Sequence, residues 1–203
     1  MKVVKTISED KNFKVAIFGS SRIKEGDLRY RQIRNLAEKL GERGIDIITG
    51  GGPGLMKAAS EGHKLGRSSN YTRTIGLSID LPKEQKTNKY VDVEKKFSRF
   101  STRLEHFMLL SNAIVVAPGG VGTLLEFFYS WQLVQTKKVK TIPIILLGQQ
   151  WHGMLNWLRE FPLRNKMVDK EDIHLIQLVK NVDEAIKLID KNRKSIKKRR
   201  KKK

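Results

Sequence analysis

The chain has no cysteine among its 203 residues, which excludes a disulfide framework, a thiolate metal site and a cysteine nucleophile. A reducing compartment, the cytoplasm, is the expected location. Long apolar runs are also missing. The strongest, such as "IPIILLG", are far shorter than the roughly 20 residues that cross a bilayer, so no membrane span is expected. The opening stretch "MKVVKTISEDKNFK" has basic character but no apolar run, and does not read as a secretory signal. Acidic residues are scarce, 21 against 41 Lys and Arg, for a formal net charge of +20. That excess is uneven, because "KNRKSIKKRRKKK" at 191–203 contributes ten positive charges and no acid, leaving +10 on residues 1–190. A like-charge run of this kind is expected to be a disordered tail. It is either a solvated terminus or a weak, nonspecific contact for nucleic acid or an anionic surface, with no aromatic interleaved for base stacking.

What is present is one domain's worth of core, with 39% hydrophobic residues. "FKVAIFGSS", Phe13 to Ser21, is a short β-branched and apolar run that ends in a Gly-Ser-Ser loop. Asp27 then caps an amphipathic helix in which Leu28, Ile33, Leu36, Ala37 and Leu40 recur at helical spacing. "GIDIITGGGPGLMKAASEGHKLG" repeats the scheme, with Pro53 suited to a first helical turn. "TRTIGLSIDLP" is a third strand, and Lys83 to Lys96 is a charged stretch without a clear assignment. Ser98 to Asn112 is helical in pattern, "AIVVAP" is a strand, and a helix is expected from about Thr123 to Thr136. "KTIPIILLG" reads as a strand, "QQWHGMLNWLREF" as a helix, "IHLIQLV" as a short strand or helix, and "NVDEAIKLIDKN" as a last helix. Nearly continuous apolar strands alternating with helices predict an α/β fold, a Rossmann-like doubly wound parallel sheet in a single domain over 13–190. Residues 1–12 form an N-terminal extension and 191–203 the basic tail.

In such sheets ligands bind beyond the carboxyl ends of the strands. Three strands here end in "GSS" at 19–21, "GGGPG" at 50–54 and "PGGVGT" at 118–123, loops that should gather on one edge. Glycine turns let backbone N–H groups approach an anion, and the following helix adds its positive end, so the loops are either a phosphate site or simply tight turns after the strands. The Gly-x-x-x-x-Gly-Lys-Ser/Thr pattern is absent, and "GGGPGL" is a poor dinucleotide fingerprint. Glu126 lies three residues after Thr123, on the same side of the first helical turns. It is either a cap and dipole complement or, facing a bound anion that repels it, a catalytic acid or base. An acid placed one sugar-length from a phosphate suits an oxocarbenium-like centre.

"PGGVGTLLE" resembles the Pro-Gly-Gly-x-Gly-Thr-x-x-Glu signature of the LOG family, the cytokinin riboside 5′-monophosphate phosphoribohydrolases often mislabelled as lysine decarboxylases. "GSS" at 19–21, "GGGPGLM" at 50–56, Arg103 fifteen residues before the signature proline, and "LVQTKKVKTIPIILLG" are similar to stretches of that family too. The resemblance implies hydrolysis of the N-glycosidic bond of a nucleoside 5′-monophosphate, AMP or an N6-modified AMP, to free base and ribose 5-phosphate. It also implies a homodimer, and no cofactor is expected. Glu126 and Arg103 match the catalytic pair. Gly119, Gly120, Gly122 and Thr123 match the phosphate cradle, with Gly51, Gly52 and the Gly19-Ser20 turn lining the nucleotide. Two positions depart from the pattern. Leu104 replaces a lysine, which should remove a cation from the pocket wall, and Leu125 replaces a frequent acid before the glutamate.

His63, His106, His152 and His174 lack metal-ligand spacing, so no metal is expected and each reads as a surface or packing residue. Trp131, Trp151 and Trp157 sit among Leu, Met and Phe at helical positions, which suits a core or subunit interface. Decarboxylase chemistry would need pyridoxal phosphate on a Schiff-base lysine, and no lysine stands in such a setting. The alternative from another class is a non-catalytic nucleotide or molybdenum-cofactor carrier of the same fold, which would not need Glu126 with Arg103.

Overall fold

The chain is seen in a computed structural model that describes residues 12–68, 71–80 and 86–201. The expected N-terminal extension lies, Asn12 apart, outside the described residues. Seven strands, β1 (Lys14–Phe18), β2 (Asp46–Thr49), β3 (Thr74–Ile79), β4 (Val93–Phe97), β5 (Ala113–Val116), β6 (Ile144–Leu147) and β7 (Ile176–Val179), form one sheet in the order β4-β3-β2-β1-β5-β6-β7. Every pairing is parallel. Strands β1, β2, β5 and β6 are buried throughout, and apart from Lys14, Asp46 and Thr49 their residues are apolar without alternation.

The helices are α1 (Leu28–Glu42), α2 (Leu55–Gly66), α3 (Phe100–Leu110), α4 (Val121–Gln135), α5 (Trp151–Leu158), the short α6 (Lys170–His174) and α7 (Val182–Lys201), with a π-helical turn at Arg159–Leu163. They divide between the faces. Ile33 and Leu36 of α1, Leu55 and Ala58 of α2, and Ala185 and Ile189 of α7 pack in one core. Phe107 of α3, Phe127 and Trp131 of α4, and Trp151 and Leu155 of α5 pack in the other. The fold is therefore doubly wound, as the βα alternation predicts. Asp27 does cap α1, its Oδ1 accepting from the Arg29 N–H at 2.8 Å. Helices α1 and α2 cross so closely that a Cβ on Gly62 would lie 1.9 Å from the Arg34 carbonyl oxygen.

Several expectations are corrected. The charged stretch before Lys96 contains a strand, β4, in which exposed Glu94 and Lys96 alternate with half-buried Val93 and Lys95 before Phe97 enters the core. It is the sheet's edge, and charge there discourages pairing with another chain. "IHLIQLV" supplies both the end of α6 and β7. Pro53 lies outside α2, because Gly54, at φ 68°, is the residue that enters the helix. Leu28 is exposed rather than part of the α1 core face.

The largest revision concerns the basic end. Helix α7 runs on to Lys201 instead of stopping near residue 190 in a disordered tail. The charge run conceals anchors at helical spacing. Ile189 is in the core and Ile196 packs against it. Between them Asn192 Nδ2 donates to the Asn112 carbonyl at 2.8 Å and Arg193 NH1 to the Arg43 carbonyl at 2.7 Å. Among the described side chains, Lys187, Lys191, Lys194, Lys197 and Lys198 are exposed, so the helix leaves these ammonium groups in water.

Candidate active site

The sheet reverses its winding between β1 and β5, and the loops after these strands flank the crevice that reversal creates. The β1 loop is clamped from two sides, with Ser20 N–H donating to the Pro118 carbonyl at 3.0 Å and Leu55 N–H donating to the Ser20 carbonyl at 2.8 Å. Only glycine fits at 54 beneath it, since a Cβ there would lie 2.3 Å from the Ser20 oxygen. After β2, Gly51 takes φ 74° and its N–H donates to Thr49 Oγ1 at 3.0 Å. Asn88 holds the same turn from outside, its side-chain amide donating to the carbonyls of Gly51 and Gly52 at 2.9 and 3.0 Å.

Helix α4 starts from Gly120 with no side-chain cap. The N–H groups of its first turn have no intrahelical acceptor and present the positive end of the helix to the cleft. A buried Thr123 sits in that turn. One turn on, Glu126 Oε1 accepts from Arg103 NH2 of α3 at 2.6 Å. Arg103 is itself pinned, with Nε donating to the Leu77 carbonyl at 2.9 Å and its guanidinium 5.3 Å from the Phe107 ring centroid. Both members of the pair are nearly buried, at 9% and 12% side-chain exposure. Burial outweighs the opposing influence of Arg103 and raises the Glu126 carboxyl to about 7.

These groups surround a cleft of about 510 Å³. Of the residues singled out in the sequence, Gly19, Ser20, Gly51 and Gly52 line it on one side, and Gly120, Gly122, Thr123, Arg103 and Glu126 on the other. Gly119 does not line it. Its role is local, because a Cβ there would lie 2.0 Å from Thr123 Oγ1 and displace that hydroxyl. The two departures from the signature also fall outside the cleft lining, where Leu104 is buried in the body and Leu125 is exposed. The leucine at 104 therefore takes no cation from the wall.

Sequence reasoning missed several wall residues. Ser78 and Ile79 close the far end of the cleft with Thr87 and Phe100, and Arg22 and Met56 complete it. The position of Ser78 and Ile79 at the carboxyl end of β3 was the available signal. Thr87 lies in the stretch whose charge hid its structure. His63 is a packing residue, with Nε2 2.9 Å from the Ile45 carbonyl and Nδ1 3.0 Å from Thr74 Oγ1, and burial lowers it to about 4. Trp131 and Trp151 are core residues, whereas Trp157 is exposed and stacked on Phe161. Among the described residues there is no cluster of potential metal ligands and no helix long and apolar enough to cross a membrane.

The sequence profile of the family described as "possible lysine decarboxylase" matches residues 56–189. The chain belongs to this family. It is the LOG-type family whose signature "PGGVGTLLE" resembles. A curated relative, the pyrimidine/purine nucleotide 5′-monophosphate nucleosidase of Escherichia coli K12, is 31% identical over 147 residues, covering 66% of this chain and 30% of the relative. The chain thus aligns to under a third of that relative's length. Among solved structures, the molybdenum cofactor binding protein of Rippkaea orientalis has a TM-score of 0.67 at 18% identity, covering 89% of this chain and 97% of that one. The molybdenum cofactor carrier protein of Chlamydomonas reinhardtii has a TM-score of 0.66 at 21% identity, covering 90% and 98%. At these identities the likeness shows that this LOG-type chain and the carriers share a fold.

Proposed function

We propose that this protein hydrolyses the N-glycosidic bond of a nucleoside 5′-monophosphate, AMP or an N6-modified AMP, to free base and ribose 5-phosphate. The observation that carries the reading is the nearly buried Arg103–Glu126 pair one helical turn behind an uncapped helix start at the glycine loop. The loop and helix end hold the 5′-phosphate by backbone N–H groups, which leaves C1′ near Glu126. Water adds its oxygen to C1′, the C1′–N bond breaks, and the departing base takes up a proton. The Glu126 carboxylate stabilises positive charge at C1′ and removes a proton from the incoming water, a task suited to a group near 7. Arg103 keeps that carboxylate aimed and partly ionised. A carrier of the same fold has no use for such a pair, which is why hydrolysis is preferred to transport.

A homodimer belongs to the same proposal. Leu109 on α3 and Val121, Leu125 and Phe128 on α4 are apolar and exposed, and Val121 also lines the cleft; a second copy would cover them. The function is tested by incubating the protein with a panel of nucleoside 5′-monophosphates and following free base and ribose 5-phosphate. Equimolar release from at least one nucleotide, and none from the matching nucleosides, is expected. Release from no member of the panel overturns the reading.

A further inference from the structure

The lysine excess of α7 lies at the other end of the sheet from the cleft. The helix leaves the carboxyl end of β7 and runs back, so that Asn192 and Arg193 contact Asn112 and Arg43, just ahead of β5 and β2. These charges cannot serve a nucleotide held by the glycine loops. Lys187, Lys191, Lys194 and Lys198 follow one another at spacings of four, three and four, and all are exposed. At 100° per residue they form one stripe, about 16 Å long. The acids of the same helix are engaged elsewhere. Asp183 pairs with Lys39 at 3.4 Å, Asp190 with Arg43 at 3.3 Å, and Glu184 accepts from the Lys180 N–H at 2.9 Å.

Beside the stripe is a pocket of about 310 Å³, between α7 and the amino ends of β6 and β7. Lys191 belongs to both. Ile142, Pro143, Leu175 and Leu188 give the pocket flat apolar walls, and His174 adds an aromatic ring. Gln177 also lines it, and its Oε1 is buried without a hydrogen-bond partner among the described residues. A ligand that brings a donor into the pocket would satisfy this buried acceptor.

We propose that this face of α7 and the adjoining pocket bind single-stranded RNA, the lysine stripe tracking phosphates while one unstacked nucleotide enters the pocket. A ribose 2′-hydroxyl supplies the donor that Gln177 lacks, and the apolar walls with His174 take the base. A lipid surface is disfavoured, because the apolar side of α7 is docked on the sheet and has nothing to insert. The proposal is independent of the chemistry of the cleft.

Fluorescence anisotropy with a labelled oligoadenylate RNA tests it, using the whole chain across a salt series. The quadruple variant K187Q/K191Q/K194Q/K198Q should bind at least about tenfold more weakly and lose about 3 from the slope of log affinity against log salt, for four single-strand phosphate contacts. The corresponding Lys→Arg variant should retain binding, and circular dichroism should show both folded. Gln177→Leu should weaken RNA more than the matching DNA oligonucleotide. Binding by the quadruple glutamine variant within twofold of the unchanged chain would overturn the proposal. Equal affinity for RNA and DNA, or tighter binding to phosphatidylserine vesicles than to RNA, would overturn it too.

Discussion

The two ends of the sheet approach negative charge by different means. At the carboxyl ends of the strands the cleft offers backbone N–H groups and, among the described residues, a single exposed cation, Arg22, while its buried cation, Arg103, is committed to Glu126 and the Leu77 carbonyl. At the amino ends the helix α7 offers exposed ammonium groups on flexible stems. Backbone donors held by clamped glycine turns select one phosphate geometry and respond weakly to salt, whereas exposed lysines attract any phosphate backbone and are screened. The arrangement teaches that net charge says little about the site of chemistry. In the proposed reaction the carboxylate, not the lysine excess, marks the reactive end.

The comparison can be broken most severely at Arg103. Arg103→Gln removes the partner of a buried carboxylate, so base release should fall by roughly 10² to 10³ and stability by about 3 kcal/mol. Steady-state kinetics and denaturant unfolding check both. RNA binding by the same variant should not change.

The pH response comes next. If the ionised Glu126 acts on C1′ or water, kcat should fall about tenfold per pH unit below about 7. A flat kcat between pH 5.5 and 8 would contradict the assignment, on a range set about the value of 7. The stability linkage has the opposite sense. The folded state holds the Glu126 proton up to about 7 while an ordinary carboxyl releases it near 4.5, so this group's contribution to stability falls as pH rises across that window. Urea unfolding at several pH values measures it, and Glu126→Gln should flatten that part of the profile.

Two glycine substitutions separate site from scaffold. Gly54→Ala places a Cβ against the Ser20 carbonyl at a positive φ, so KM should rise along with a loss of about 3 kcal/mol of stability. Gly62→Ala forces apart α1 and α2, away from the cleft, and should lower stability similarly while leaving KM unchanged in the folded fraction. Smallest is the salt effect. Between low and physiological salt, KM for a nucleotide should change severalfold at most, against orders of magnitude for RNA.

The sequence made the cleft more legible than the far end for a physical reason. Glycines, Thr123 and Glu126 stand in one continuous stretch, and the βα alternation brings the β1 and β2 loops beside them. Arg103 was found only through its register with the signature, because nothing local distinguishes it from a solvated helix residue. Strand β4 was hidden by Glu94, Lys95 and Lys96, since an edge strand need bury little. The anchors of α7 were hidden by the charges around them, although Ile189 and Ile196 stand seven residues apart, two helical turns. Leu104 shows the opposite failure. Its place in the motif suggested the pocket wall, but its side chain turns into the body.

The central claim is that Glu126 breaks the glycosidic bond of a nucleotide held by the glycine loop. Glu126→Gln keeps the size of the side chain and removes the charge. On the best nucleotide of the panel, single-turnover release of free base should fall by about 10³ while the nucleotide still binds. Undiminished release by this variant would contradict the account.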